Sequence, residues 1–448
     1  MSAPSATPPA PNESRLAFVM RALKYRNYRL FFGGQIVSLV GNWMTSIATS
    51  WLVYRLTKSA WMLGIIGFSG QIPAFVLAPF AGIFVDRVNK HRLLVLTQSL
   101  AMLQSFSLAA MTLSGHATIA GLIALNFIDG VITAFDMPLR QSFLVEMIEK
   151  KEDLGNAIAL NSSMVNAARL IGPSIGGFVI AAAGEGWCFF LDGLSFIGVI
   201  VALLLMKVRP VPDRKRHPGG PLAEMREGWD YAVGSIPIRR IILLLALVSL
   251  VGVPYTVLIP LYAGKILNGG PHTLGLLMTA IGTGALAAAI WLASRKSVLG
   301  LGRVIPLSAA AFGLGLIAFA FSTTLWVSVP LLLITGAGFM TQIASSNTLV
   351  QTVVDDDKRG RVMSFFMMAF LGTAPFGSLL AGSLADRFGA PRTLAVGGVC
   401  CILGAAWFAR GLEELREAVR PIYRRMGILP QLTAAVETTG RLTFETHD

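Results

Sequence analysis

Twelve stretches of this chain are apolar over about 20 residues each, and that excludes most of what a polypeptide can fold into. They run approximately 28–54, 61–85, 93–114, 117–140, 157–183, 187–207, 239–263, 273–294, 303–321, 326–350, 361–385 and 391–411. At about 1.5 Å of rise per residue, each is long enough to cross a ~30 Å hydrocarbon layer. Lipid offers no partner to a bare N–H or C=O, so the segments must be helices. A mean hydropathy of +0.66 and only 14% charged residues exclude a soluble domain. The expectation is an all-α polytopic membrane protein.

Basic residues set the orientation. With the N-terminus inside, 31 of the 37 Lys and Arg fall on the tails and alternate loops of the inner side. The outer loops carry Arg55, Lys58, Lys265, Arg387 and Arg392, and Arg169 stands inside an apolar segment. That asymmetry predicts both termini in the cytoplasm. It also accounts for the net charge of +13, which reads as orientation and contact with anionic lipid and not as nucleic-acid binding. Residues 1–14 are Pro, Ser and Ala rich and read as disordered, without the charged start of a signal peptide. Cys188, Cys400 and Cys401 form neither a disulfide framework nor a metal site.

The chain repeats itself. Val-Ser-Leu-Val-Gly stands at Val37–Gly41 and again at Val248–Gly252, an offset of 211 that also carries Gly64 onto Gly275 and Arg92 onto Arg303. An offset of 205 carries Gly172 onto Gly377, Gly177 onto Gly382 and Gly184 onto Gly389. Two pseudo-symmetric six-helix bundles are expected, 28–207 and 239–411. A Pro-rich cytoplasmic linker at 208–238 joins them, holding a surface helix near 222–233. Residues 1–27 form a tail with a basic amphipathic lead-in, and 412–448 a second cytoplasmic tail with a helix near 413–425.

Four strings carry a family resemblance. The loop after the second segment reads Gly82-Ile-Phe-Val-Asp86-Arg87-Val-Asn89-Lys90-His91-Arg92. It resembles the loop signature of the major facilitator superfamily, with Asn89, which tolerates left-handed geometry, in place of a Gly. Gly172-Pro173-Ser-Ile-Gly176-Gly177 in the fifth segment resembles the signature of the superfamily's exporters and antiporters. Pro173 frees a carbonyl and the glycines permit close packing. Arg26-Asn27-Tyr28-Arg29 and Ala134-Phe-Asp136-Met-Pro138-Leu-Arg140 are similar to the enterobactin-exporter-like and macrolide-efflux-like branch. The resemblance spans about residues 15–411 and implies the twelve-helix major facilitator fold. It further implies that Asp86 latches against the far bundle, near Arg361, when the inside is closed. A lookalike, Gly382-Ser-Leu-Ala-Asp386-Arg387-Phe-Gly389, reads as a helix end with a Gly stop.

Deep charges are costly in lipid and mark functional candidates. Asp129 reads as the only acid deep in an apolar segment, roughly 16 Å along the fourth, with Arg169 at similar depth in the fifth. They form a candidate pair, either for proton coupling and substrate or as a structural tie. Asn126, Asn166 and Asn42 are candidate cavity residues, each also explicable as an interhelical hydrogen-bond former. Gly82, Asp86, Arg87, Arg92, Asp136 and Arg140 fall at inner helix ends and read as a cytoplasmic gate.

No phosphate-binding loop, metal cluster or nucleophile–base spacing competes. The reading is therefore not an enzyme but a secondary transporter without cofactors, driven by a proton gradient. Its partners are a small molecule, protons and the bilayer of a bacterial inner membrane, and it is expected to be a monomer. Proton-driven export of an amphipathic substrate (siderophore, drug or macrolide-like) leads. Uptake or flipping of a small molecule or lysolipid is the alternative, and a non-transporting receptor or scaffold is the rival from another class.

Overall fold

The computed structural model describes residues 20–85, 88–207, 221–295, 297–355 and 357–426. Among these every regular element is helical. Twelve helices are long and apolar enough to cross a membrane. They are α1 (Arg26–Thr57), α2 (Ala60–Val85), α3 (Lys90–Leu113), α4 (Ile119–Glu146), α5 (Lys151–Ala183), α6 (Glu185–Leu204), α7 (Ile236–Ile266), α8 (Pro271–Ala293), α9 (Leu301–Ala320), α10 (Leu325–Val353), α11 (Arg359–Phe388) and α12 (Ala390–Arg410). A linker helix (Pro221–Gly234) lies between α6 and α7, and a tail helix (Leu412–Arg425) follows α12. The chain is a multi-pass membrane protein. The linker and tail helices mark one end of the bundle, the basic end, opposite the far end.

Local chemistry explains the breaks. Pro254 supplies no N–H, and α7 passes through a wider turn just before it, Val248–Gly252; a second wider turn, Tyr262–Ile266, follows Pro260. Their closing bonds skip to the fifth residue, Val253 N to Val248 O and Leu267 N to Tyr262 O. α11 is interrupted between Leu371 and Ala374, just before Pro375. Gly389 ends α11 in the left-handed region at φ 86°, the Gly stop expected from sequence. Asn89 departs from expectation: it is extended at φ −67°, and its side chain caps α3 by accepting the Arg92 N–H at 3.0 Å.

Helices α4 and α5 run about six residues past the apolar limits read from sequence, to Glu146 and back to Lys151. That extension is tied down. Arg21, Lys24 and the Tyr25 hydroxyl converge on buried Asp153 at 2.9, 2.6 and 2.6 Å, so the lead-in to α1 is a short turn pinned to α5. The hydrogen bond from Lys24 to Asp153 holds that ammonium above its ordinary pKa.

Packing groups the spans. α1 lies on α5 and α6, α3 on α4 and α6, and α2 on α4. In the second half α10 lies on α8 and α9, and α12 on α9. Among the described residues, two pairings as broad as these join the first six spans to the last six, α5 on α8 and α2 on α11. Outward faces keep large apolar side chains exposed, Leu103, Leu307, Trp326 and Leu403 among them, as a lipid-facing belt requires.

Candidate functional site

The interior of the first six spans is polar along one face of α3. Thr97 and Gln98 stand one end of that stripe, Gln104 and Ser105 the other, seven to eight residues apart and so two turns along one side. Each end holds a carboxylate. Asp136 of α4 is 8% exposed and takes hydrogen bonds from the Thr97 hydroxyl (2.9 Å) and the Gln98 amide (2.7 Å). It is also ion-paired with Arg140, which reaches on to Gln35 of α1. Asp136 and Arg140 were expected at the gate. They stand inside the bundle instead, because α4 continues to Glu146, about 15 Å beyond Asp136.

At the other end of the stripe is Asp192 of α6, 2% exposed. Its Oδ2 accepts from the Thr45 hydroxyl of α1 at 3.0 Å and the Ser105 hydroxyl of α3 at 2.9 Å. Its Oδ1 is buried against Gly41 with no hydrogen-bond partner. No cation stands within 4.0 Å among the described residues. Sequence reasoning missed this residue by treating Asp129 as the only deep acid. The signal was an Asp six positions into the apolar run 187–207, facing Thr and Ser at matching depth.

Asp129 lies two turns from Asp136 on the same face of α4. It is half-buried and has neither ion pair nor hydrogen bond among the described residues. The expected pair with Arg169 is not formed. The reason is lateral: α4 packs on α2 and α3, whereas α5 packs on α1 and α8, so equal depth in consecutive spans does not make neighbours. Arg169 lies instead over the Trp43 ring of α1, 5.4 Å from its centroid, with a buried Nε that makes no hydrogen bond. Asn126 ties α4 to α2 by donating to Ile66 O (2.7 Å) and the Ser69 hydroxyl (3.2 Å), which is the helix-packing role. Asn166 donates to Ser162 O of its own helix. Asn42 is half-buried on α1, next to Trp43.

The duplicated glycines meet across the two halves. A Cβ on Gly64 of α2 would stand 2.7 Å from Ser378 O and 3.0 Å from the Gly382 Cα of α11. A Cβ on Gly177 of α5 would stand 2.8 Å from Pro271 O and 3.0 Å from the Gly275 Cα of α8. The offsets 211 and 205 carry one contact onto the other, so the two seams are copies of one ancestral contact. Both close the far end, where backbones touch because no side chain intervenes. Gly172 and Gly176 serve a different purpose, setting α5 against Trp43 and Met44 of α1.

At the basic end, Gly82 is in the last turns of α2, while Asp86 and Arg87 lie outside the described residues. Arg92 is exposed in the first turn of α3. Arg361, the expected latch partner, is engaged by the linker helix: its Nη1 is 2.6 Å from Glu227 Oε2, with Lys358 at 3.9 Å from the same carboxylate.

Comparison with known proteins agrees with this architecture. The family described as transmembrane secretion effector matches residues 19–424. The chain is 30% identical to the staphyloferrin A transporter of Staphylococcus aureus, covering 84% of this chain and 93% of that protein. It is 27% identical to the multidrug efflux pump Tap of Mycolicibacterium fortuitum (85% and 95% covered) and 21% to macrolide efflux protein A of Streptococcus pyogenes (85% and 95%). Among solved structures, an inward-facing bacterial homologue of the iron transporter ferroportin aligns with a TM-score of 0.67 at 16% identity, covering 89% of this chain and all of that one. An inward-facing bacterial homologue of the lysosomal transporter Spinster aligns with the same score at 14% identity (88% and 98%). These relatives are transporters and not enzymes, and with twelve apolar helices and a match over nearly the whole described chain, the protein belongs to the transmembrane secretion effector family of major facilitator transporters.

Proposed function

We propose that this protein is a proton-driven exporter of an amphipathic small molecule, of siderophore, drug or macrolide type, in a bacterial inner membrane with both termini in the cytoplasm. The observation that carries the reading is the pair of carboxyls without cations, Asp129 and Asp192, inside the first half of a transporter whose relatives include efflux pumps. A carboxyl free of an ion pair can gain and lose a proton without a salt bridge having to break, as a coupling site requires. Asp129 is the coupling acid, since it is the more accessible of the two. Arg169, beside the Trp43 ring of α1, receives an anionic or aromatic part of the substrate in this reading.

The bundles 28–207 and 239–411 rock about a site at mid-membrane, closing the glycine seams at the far end in one state and the basic end in the other. In the arrangement seen here the seams are closed, which supports loading from the cytoplasm. Closing the basic end transfers Arg361 from Glu227 to Asp86. No cofactor takes part, and a monomer suffices.

The test is flux in inside-out vesicles. With an acid lumen, a panel of siderophores and macrolides should drive substrate-dependent proton efflux through the wild type. Proton efflux that no substrate alters, or substrate movement with the opposite coupling, overturns the export reading.

A further inference from the structure

We infer that the groove under the tail helix is a binding site for an anionic phospholipid headgroup. The tail helix presents Leu412, Leu415, Val419 and Tyr423 at spacings of three and four to α9 and α10. Leu415 and Val419 are each 3% exposed, and Leu415 comes to rest where Gly302 of α9 has no side chain. The docking is incomplete. A cavity of about 410 Å³ remains between the helix, Leu299, Arg303 and Leu349. That falls inside the roughly 300–1,000 Å³ of ligand pockets.

Its chemistry is specific. The floor is apolar, from Leu349, Leu415 and Val419, and Leu299 adds an exposed apolar edge. Arg303, Arg416 and Arg420 line the rim, and none has a carboxylate within 4.0 Å among the described residues. By contrast Arg240 of α7, which also meets the tail helix, is satisfied by Glu414 at 2.7 Å and lies over Trp407. Tyr423 is 9% exposed, yet its hydroxyl makes no hydrogen bond among the described residues. Three guanidiniums and a phenol line one apolar slot beside the first turn of α9. That set matches a phosphate diester with its acyl chains, the forked donors taking the phosphate oxygens and the leucines the chain.

The experiment gives delipidated protein phosphatidylglycerol or phosphatidylcholine and counts retained lipid by native mass spectrometry. Wild type retains phosphatidylglycerol preferentially. Arg303→Gln, Arg416→Gln and Arg420→Gln each lower that preference by roughly fivefold, and the triple variant by roughly a hundredfold. Arg303 stands on α9, so its variant tests the site without disturbing the docking of the tail helix. Glu413→Gln and Glu417→Gln leave the preference intact or raise it. The inference fails if the triple variant or Arg303→Gln matches wild type. It also fails if inorganic phosphate displaces the lipid at equal concentration, which would mark a plain anion site. A gain of lipid in a chain ending at residue 426 would make residues 427–448 the natural occupant and would likewise overturn it.

Discussion

The two halves of this transporter share an ancestor, yet among the described residues every buried charged side chain lies in the first. Asp192-Gly193 of α6 corresponds to Gly397-Gly398 of α12 at the 205 offset. Gly130 of α4 packs on Gly70 as Gly336 of α10 packs on Ile281, which sets an offset of 206 between those spans. By that correspondence Asp129 becomes Thr335 and Asp136 becomes Gln342, both fully buried. The second half has lost or never gained the acids, while its helix contacts survive. Packing is therefore the symmetric property of this fold and ionisable chemistry the asymmetric one. In the proposed rocking mechanism both halves act as matched bodies, and only the first would carry the proton.

The sharpest way to break that division is to move the charge. Asp129→Asn should reduce pH-driven transport to the leak, with substrate exchange at equal pH retained. Gln342→Leu, at the neutral counterpart of Asp136, should leave the pH dependence as in wild type. Equal losses of coupling in both variants would show that the halves share the proton work. Next in size is stability. Arg140→Gln leaves Asp136 buried without its cation and should cost about 3–5 kcal/mol. Thermal unfolding of purified protein reads this directly. A loss below 1 kcal/mol would mean that Thr97 and Gln98 alone satisfy the carboxylate.

Much of the fold was legible because the lipid constraint is severe. Span number, the linker helix, the tail helix and the Gly389 stop all follow from hydropathy, Lys and Arg placement and residue chemistry. The site was less legible, for a lateral reason. Depth along a helix can be counted from sequence, but azimuth and neighbours cannot, so Asp129 was matched with Arg169 across two spans that do not pack together. Apolar limits also mislead where a helix continues beyond them, as α4 does through Pro138 to Glu146, which sets Asp136 and Arg140 inside the bundle. Asp192 was visible as a residue but not as a site, since its partners Thr45 and Ser105 come from α1 and α3.

The seams allow the symmetric side of the comparison to be tested. Gly177→Val and Gly382→Val each force a branched side chain against backbone at 2.8 Å, on opposite sides of the far end. Overpacking of this kind costs about 1–3 kcal/mol. The two variants should lose similar stability and shift spin-label distances across the far end by similar amounts. If Gly177→Val alone opens the far end, the seams have diverged in function although their geometry has not.

The smallest expected effect concerns the pair that the structure separates. Were Asp129 and Arg169 coupled, Arg169→Ala would strand a buried carboxylate, and adding Asp129→Asn would restore stability. With Arg169 over Trp43 and α4 packed away from α5, the two losses should instead add to within roughly 0.3–0.5 kcal/mol in a double-mutant cycle. Arg169→Lys should already lose part of the Arg169 contribution, because a compact ammonium does not reproduce a guanidinium's contact with the Trp43 ring. An interaction energy well above that range would place the pair together in another state of the transport cycle. Asp129 would then exchange a cation as well as a proton, and the charged half would work by switching partners.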